Sequence, residues 1–181
     1  MVQSKKILVP NDFSVRPLLL LKKIIESNPG QNYHIMLLHG IYPPDTISGM
    51  LYYSKVRFIK EMESEEFVKS RNLLKSKYQS RITAMYSEVI TSDRRYALNT
   101  FLKVSGIEEI YLADGLKFKF SGENSFNIIP LLKKASVPVK VVPVESIFDE
   151  QGSSFDESSG LSLSGLTKAL INPYDGRAAM L

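Results

Sequence analysis

Short apolar runs alternate along this chain with longer segments of helical periodicity, and this alternation constrains the fold more than any other feature. The run Ile35–Leu38 is continuously apolar, as expected of a strand covered on both faces. Strands separated by helices pair in parallel, and right-handed crossovers place helices on both faces of the sheet. We therefore predict an α/β fold with a doubly wound, five-stranded parallel sheet. Its strands are expected at Lys6–Pro10, Tyr33–Ile41, Ile82–Ile90, Glu109–Ala113 and Pro138–Val144.

The gaps between these strands carry apolar residues at helical spacing, which predicts four helices. Asn28-Pro29-Gly30 and Gly106 supply helix ends, and Ser92 is suited to cap the third helix. The third strand is less apolar than the others, so we place it near an edge of the sheet. The helices are expected over Val15–Ser27, from about Ser54 to Tyr78, over Arg95–Val104, and from a cap at Asn124 or Ser125 through Ala135.

The composition is typical of a globular protein and excludes several kinds of chemistry. The 181 residues include no cysteine, which rules out disulfides, thiol nucleophiles and cysteine-ligated metal centres. No apolar run reaches the roughly 18 residues of a membrane span. Lys5 and Lys6 lead directly into the first strand, without the apolar region of a signal peptide. We therefore expect a cytoplasmic protein.

The last part of the chain differs in composition from the rest. Residues 146–181 are rich in serine and glycine and offer little to bury. We therefore divide the chain into a domain over residues 1–145 and a partly disordered acidic tail over 146–181. Leucines in the tail predict one short amphipathic docking helix around Ser164–Ile171.

The charge is also divided between body and tail. The chain carries a net +4, but the stretch from Glu145 to Leu181 has six acidic residues against two basic ones. A basic body with an acidic tail fits either nucleic-acid affinity restrained by the tail or a tail that lies on the body or in solvent. Because the basic residues are scattered rather than clustered, we expect no nucleic-acid partner.

The loop after the first strand is the first candidate site. Asp12 and Ser14 follow Pro10 at the carboxyl end of a predicted inner strand, where ligands usually bind in parallel sheets. The competing interpretation is that Asp12 or Ser14 only caps the following helix.

The two histidines, His34 and His39, are five residues apart on the second strand. An odd spacing places them on opposite faces, so they cannot bind one metal ion together. We expect His39 to be buried and hydrogen-bonded, with an acid or base role as the alternative.

Several motifs, taken in order, resemble those of the universal stress protein family. They are Ile-Leu-Val-Pro-Asn-Asp-Phe-Ser at residues 7–14, Leu-Leu-His at 37–39, and Val-Pro-Val-Lys-Val-Val-Pro at 137–143. The resemblance covers about residues 4–144. It implies a five-stranded doubly wound fold, frequent dimerisation through the last strand, and ATP binding in many members. Here that strand would pair through Val139, Val141 and Val142.

The family's phosphate-binding loop has the pattern Gly-x-x-Gly, nine residues, then Gly-Ser or Gly-Thr. The same spacing here falls on Leu112, Gly115, Ser125 and Phe126, so only Gly115 matches. Backbone N–H groups approach phosphate closely where glycine leaves room, and the substituted positions remove that room.

From these departures we expect a non-catalytic domain without a cofactor, which acts through homodimerisation and an unidentified protein partner. The alternative is a stress-response protein that binds ATP or AMP. Its nucleotide would contact Asp12, Gly115, Asn124 and Ser125. An ATP-dependent ligase of a related fold is not expected, because Pro10–Ser14 lacks the glycine-rich loop of those enzymes.

The segment Lys117-Phe118-Lys119-Phe120 lies inside this altered loop and alternates basic and aromatic residues. Such alternation suits single-stranded nucleic acid, which stacks on aromatic rings. The interpretation we prefer is a lid whose phenylalanines cover the cleft while the lysines remain solvated.

Overall fold

The computed structural model describes residues 4–114, 117–120, 122 and 124–143. Six strands form one sheet: β1 (Ser4–Pro10), β2 (Asn32–Ile41), β3 (Ile82–Ile90), β4 (Glu109–Asp114), β5 (Ser125–Phe126) and β6 (Val139–Pro143). The main order is β3-β2-β1-β4-β6, and every pair along it is parallel. The predicted doubly wound parallel sheet is confirmed, with β3 at one edge. The short strand β5, which the sequence did not predict, pairs antiparallel with β2.

In the part of the chain that the structure describes, six helices connect these strands. Their bounds are α1 (Arg16–Ser27), α2 (Ile47–Tyr52), α3 (Lys55–Met62), α4 (Glu65–Lys77), α5 (Arg95–Ser105) and α6 (Ile129–Leu132). Gly106 adopts a left-handed φ of 65° directly after α5, so it ends this helix as predicted. Ser92 does not cap α5: its hydroxyl accepts the Arg94 N–H, one residue before the helix.

Two helix predictions are wrong. The helix expected from about Ser54 to Tyr78 is two helices, because Ser64 begins α4 as a new N-cap and accepts the Phe67 N–H at 3.2 Å. No helix begins at Asn124 or Ser125, because Ser125 is taken up by β5. The helix that does form there, α6, spans only four residues.

Buried side chains form one cluster on each face of the sheet. Ile7, Ile35 and Leu21 belong to the cluster beneath α1 and α4. Leu8 and Leu98 belong to the cluster beneath α5 and α6. Helices therefore cover both faces, as the continuous apolar run of β2 indicates.

The boundary predicted between a domain over 1–145 and a tail over 146–181 cannot be compared with the structure, since residues 144–181 lie outside the described part. Among the described helices, none combines the length and the apolar character needed to cross a membrane.

Candidate functional site

The strand order reverses between β1 and β4, and in doubly wound sheets ligands bind at the carboxyl edge beside such a switch point. Here that position is occupied by the chain itself. β1 ends at Pro10, opposite Leu38, whereas β2 continues to Ile41. β3 already pairs with one edge of β2 as far as Gly40. β5 pairs with Gly40 and Ile41, so it uses the other edge, directly beyond the end of β1.

Because adjacent residues of a strand point to opposite faces, Ser125 and Phe126 of β5 have different surroundings. Phe126 lies against the backbone of Gly40: a Cβ added to that glycine would be 2.6 Å from the Phe126 ring. The ring also packs with Tyr42, with centroids 4.7 Å apart. Gly40 therefore permits a close approach that any larger residue would block.

Ser125 points to the other face and meets His39, which is fully buried. His39 Nδ1 lies 2.8 Å from the Asn11 carbonyl oxygen, and Nε2 lies 2.8 Å from Ser125 Oγ. A carbonyl oxygen only accepts, so Nδ1 carries the proton and donates it. Nε2 of the neutral ring therefore accepts from the Ser125 hydroxyl. The expectation of a buried, hydrogen-bonded His39 is confirmed.

The surroundings of His39 favour its neutral form. Burial lowers the pKa of His39 below its ordinary value of 6.5, and the bond to the Asn11 carbonyl and the charge of Asp12 oppose this only in part. Its ring also contacts Phe13, Phe58 and Phe120, with centroids 5.0 to 5.9 Å apart. The imidazole thus acts as a core residue with two fixed polar bonds.

The carboxylate of Asp12 is also engaged within the chain. Its Oδ1 accepts from the Ser14 N–H at 3.1 Å and from the Ser14 hydroxyl at 2.6 Å. Its Oδ2 accepts from the Lys119 N–H at 2.9 Å, which ties residue 119 to the end of β1. Asp12 therefore both shapes the turn before α1 and anchors a segment 107 residues away in sequence.

Residues 117–120, 122 and 124–126, called here the covering segment, close the switch point through these contacts. Phe118 and Phe120 stack with centroids 5.9 Å apart and are half-buried, whereas Lys117 and Lys119 are exposed. This is the alternation expected of a lid with solvated lysines. The Tyr42 N–H donates to the Asn124 carbonyl at 2.8 Å, which extends the pairing beyond β5.

The loop that receives the covering segment is itself constrained. Phe13 has a φ of 58°, in the left-handed region that non-glycine residues seldom adopt. Asn11 is fully buried; its side-chain oxygen accepts the Phe13 N–H at 3.0 Å, while its Nδ2 has no hydrogen-bond partner among the described residues. Such strain persists only where the surroundings fix it, and here Phe13 packs between His39 and Phe67.

The four residues predicted to contact a nucleotide are distributed as follows. Asp12 and Ser125 both lie at the switch point, each bonded to other parts of the chain. Asn124 is exposed and contributes its carbonyl to Tyr42. Gly115 lies outside the described residues.

His34 and His39 occupy opposite faces as predicted, with the rings of His34 and Tyr86 packed at a centroid distance of 5.5 Å. Within the described ranges no cluster of three or more acidic or histidine side chains is suited to a metal ion.

Sequence reasoning missed Asn11 and the bond between His39 and Ser125, residues 86 positions apart. One signal was available. Gly40 interrupts an otherwise apolar strand, and a glycine within a strand often marks the close approach of another backbone or ring. Leu112, which the spacing of the phosphate-loop pattern also reaches, is buried within β4, as the predicted strand Glu109–Ala113 implies, and pairs with Val141.

No family model matches the sequence, and no curated protein matches it. The chain is similar to several solved structures. The universal stress protein UspA from Lactobacillus plantarum is 13% identical with a TM-score of 0.46, over 78% of this chain and 99% of that one. A universal stress family protein from Burkholderia pseudomallei is 16% identical with a TM-score of 0.46, over 77% and 96%. The hypothetical protein MJ0577 is 20% identical with a TM-score of 0.47, over 78% and 97%. Universal stress proteins are thus among the structures to which this chain is similar.

His39→Phe tests the bonds of the buried imidazole. The substitution leaves the Asn11 carbonyl and the Ser125 hydroxyl without this partner, so we expect the free energy of unfolding to fall by about 1–3 kcal/mol. Because the native state holds His39 neutral, the unfolded chain binds more protons at this residue as the pH falls below 6.5. The stability that His39 contributes is therefore complete above that pH and declines below it.

Urea unfolding between pH 5 and 8 measures both effects. His39→Phe should show a weaker loss of stability at low pH than the natural chain. His34→Gln is the comparison variant. It also removes a histidine whose pKa is lowered, by burial and by Lys6, so it too should reduce the loss of stability at low pH. Because it keeps the His39 bonds, it should lose less stability than His39→Phe above pH 6.5. An unchanged pH profile in His39→Phe would contradict this account of the site.

Proposed function

We propose that this chain is a non-catalytic, universal-stress-protein-like domain that lacks family-type nucleotide binding and works by pairing with a second copy and binding a protein partner. The resemblance to universal stress proteins also supports a role in the cytoplasmic stress response. The observation that carries the proposal is the occupied switch point. Ser125 and Phe126 fill the position beyond β1, and the Asp12 carboxylate is bonded to Lys119 and Ser14.

The absence of a helix at Asn124 and Ser125 adds to this argument. Phosphate binding at a switch point relies on N–H groups at the start of a helix. Here the main-chain groups of Ser125 and Phe126 enter a ladder with β2 instead, and α6 starts only at Ile129. A nucleotide would have to displace Phe126 from Gly40 and break the bond between Ser125 and His39.

Titration with ATP, ADP and AMP tests the loss of nucleotide binding. Isothermal titration calorimetry on the full chain should detect no binding in the micromolar range, because the space and the donors for phosphate are used internally. The alternative function, an adenine-nucleotide-binding stress protein, predicts micromolar affinity that Asp12→Asn weakens and the exposed Asp45→Asn leaves unchanged. That pattern would overturn the proposal.

The pairing surface we propose is the outer edge of β6. No strand in the described part of the chain pairs with this edge, and Val141 there is 54% exposed. A groove of about 420 Å³ runs beside it, with Val141 and Val142 as one wall and the end of α1 as another. An unpaired apolar edge is a template for a second strand, and two copies related by a two-fold axis satisfy each other's edge.

The other edge of the sheet is less suited to pairing. Glu88 of β3 lies 3.5 Å from the Lys55 ammonium, and Ser87 donates to Glu63 at 3.1 Å. Charged and polar side chains of this kind protect an edge from addition of another strand. The valine-rich β6 therefore remains the better candidate.

Val141→Asp should convert the proposed dimer to a monomer. Each buried valine contributes about 1.5–3 kcal/mol, so loss of two equivalent contacts predicts weakening of dimerisation by about a hundredfold or more. Sedimentation equilibrium measures the change. Val104→Asp is the matched control, since Val104 is 84% exposed on α5 and belongs neither to β6 nor to the groove beside it. A natural chain that is monomeric at all concentrations, or a Val141→Asp variant that stays dimeric, would contradict the proposed interface.

A further inference from the structure

Helix α2 presents an apolar surface that the described part of the chain does not cover. Ile47 and Leu51 are 80% and 77% exposed, and Met50 and Tyr52 are also largely exposed. No residue of α2 is buried. These four residues are called here the α2 surface. Adjacent exposed apolar side chains of this kind indicate a surface that binds something.

The helix is held in place by local contacts rather than by the core. The Thr46 hydroxyl caps it by accepting the Gly49 N–H at 3.1 Å. Gly49 also lies so close to Pro44 that a Cβ there would be 2.6 Å from the proline ring. A six-residue helix is not stable through its own propensity. Its cap and the proline contact therefore hold it in a form whose apolar residues all remain accessible.

We propose that the α2 surface is a docking site for the apolar segment of the chain's own acidic tail, residues 161–171. That segment carries five branched apolar side chains: Leu161, Leu163, Leu166, Leu170 and Ile171. The proposal is independent of dimerisation through β6 and of nucleotide binding. It names the occupant of a surface that neither of those functions uses.

The tail leaves the sheet close enough to α2 for the two to make contact. The described chain ends at Pro143, the last residue of β6, on the same carboxyl edge of the sheet from which β2 leads into α2. β6 and β2 are three strands apart, or about 14 Å. The 17 residues from 144 to 160 have a root-mean-square span of about 20 Å if flexible. Residues 144–160 are therefore long enough to span the distance between β6 and β2.

Charge favours the same pairing. The stretch over residues 144–160, which would lead the apolar segment to α2, carries five acidic side chains and no basic one. Of the basic residues that follow α2, Lys55 and Arg57 are paired with Glu88 and Glu61, whereas Lys60 is exposed. The Tyr42 hydroxyl donates to Asp93 at 2.9 Å, which places the start of α5, with exposed Arg94 and Arg95, next to this region. The exposed Lys60, Arg94 and Arg95 complement the acidic residues of 144–160, and the covalent connection supplies an effective concentration of about a millimolar.

A spin label on the tail tests the contact in the full chain. Because the chain has no cysteine, Ser164→Cys gives a single labelling site. In ¹⁵N spectra the label should remove most of the amide signal of residues 47–52. The amides of residues 28–32, at the opposite end of the sheet, should keep theirs. Adding Ile47→Ser and Leu51→Ser should restore the α2 signals, whereas the control Val104→Ser should leave them broadened.

A mixed sample separates contact within one chain from contact between copies. Unlabelled ¹⁵N protein is combined with spin-labelled protein that carries no ¹⁵N. The proposal is supported if residues 47–52 are broadened only when the same chain carries both ¹⁵N and the spin label. Equal broadening in the mixed sample assigns the surface to a second copy and overturns it. Full α2 signals in the labelled chain overturn it as well, and leave the surface to another partner.

Discussion

The buried imidazole of His39 joins three parts of the chain that are far apart in sequence. From its place in β2 it donates to the Asn11 carbonyl in the loop after β1 and accepts from Ser125 in β5. Each bond replaces one to water, so the net gain is about 1 kcal/mol, whereas leaving either buried group unpaired costs more. The packing of Phe13 and Phe120 on the ring depends on this arrangement. The strained Phe13, the bond from Lys119 to Asp12 and the approach of Phe126 to Gly40 all lie around the same point.

This arrangement changes what the fold is suited to do. A doubly wound sheet offers a crevice at its switch point, and function normally resides there. In this chain the crevice holds aromatic side chains and a short strand from the covering segment. The described part of the chain leaves two apolar surfaces uncovered, the valine-rich edge of β6 and helix α2. We therefore propose recognition of polypeptide segments, in a second copy or in the chain's own tail, rather than chemistry on a small ligand.

Much of the fold could be predicted from the sequence, because strands covered on both faces carry a strong apolar signal. The bounds of β2 follow from that signal to within one residue, and the end of α5 at Gly106 follows from local chain chemistry. The break at Ser64 is also local, but the apolar spacing continues on both sides of it and conceals it. β5 has only two residues, too few for any periodicity, and its existence depends on the edge that β2 leaves open beyond Pro10. Asn and Ser are favoured as helix caps and Asn is depleted in strands, so local preference at Asn124 and Ser125 predicts a helix start, which the pairing with β2 overrides.

The candidate site, like the fold, could be predicted from the sequence only in part. Asp12 and the lid over residues 117–120 are recognisable from residue type and order. The bond from Ser125 to His39 is not, because it depends on a register between segments 86 residues apart. The loss of glycines from the phosphate loop correctly directs attention to Ser125 and Phe126. It does not reveal that these residues enter the crevice themselves.

The central claim is that the covering segment occupies the switch point in solution, and the contact between Gly40 and Phe126 tests it most directly. A nuclear Overhauser spectrum of the full chain should show strong cross-peaks between the Gly40 Hα protons and the Phe126 ring. The ring should also shift at least one of these Hα resonances upfield, since the two groups are in contact. Gly40 Hα resonances at ordinary strand positions without cross-peaks to Phe126 would show an open crevice and contradict the account.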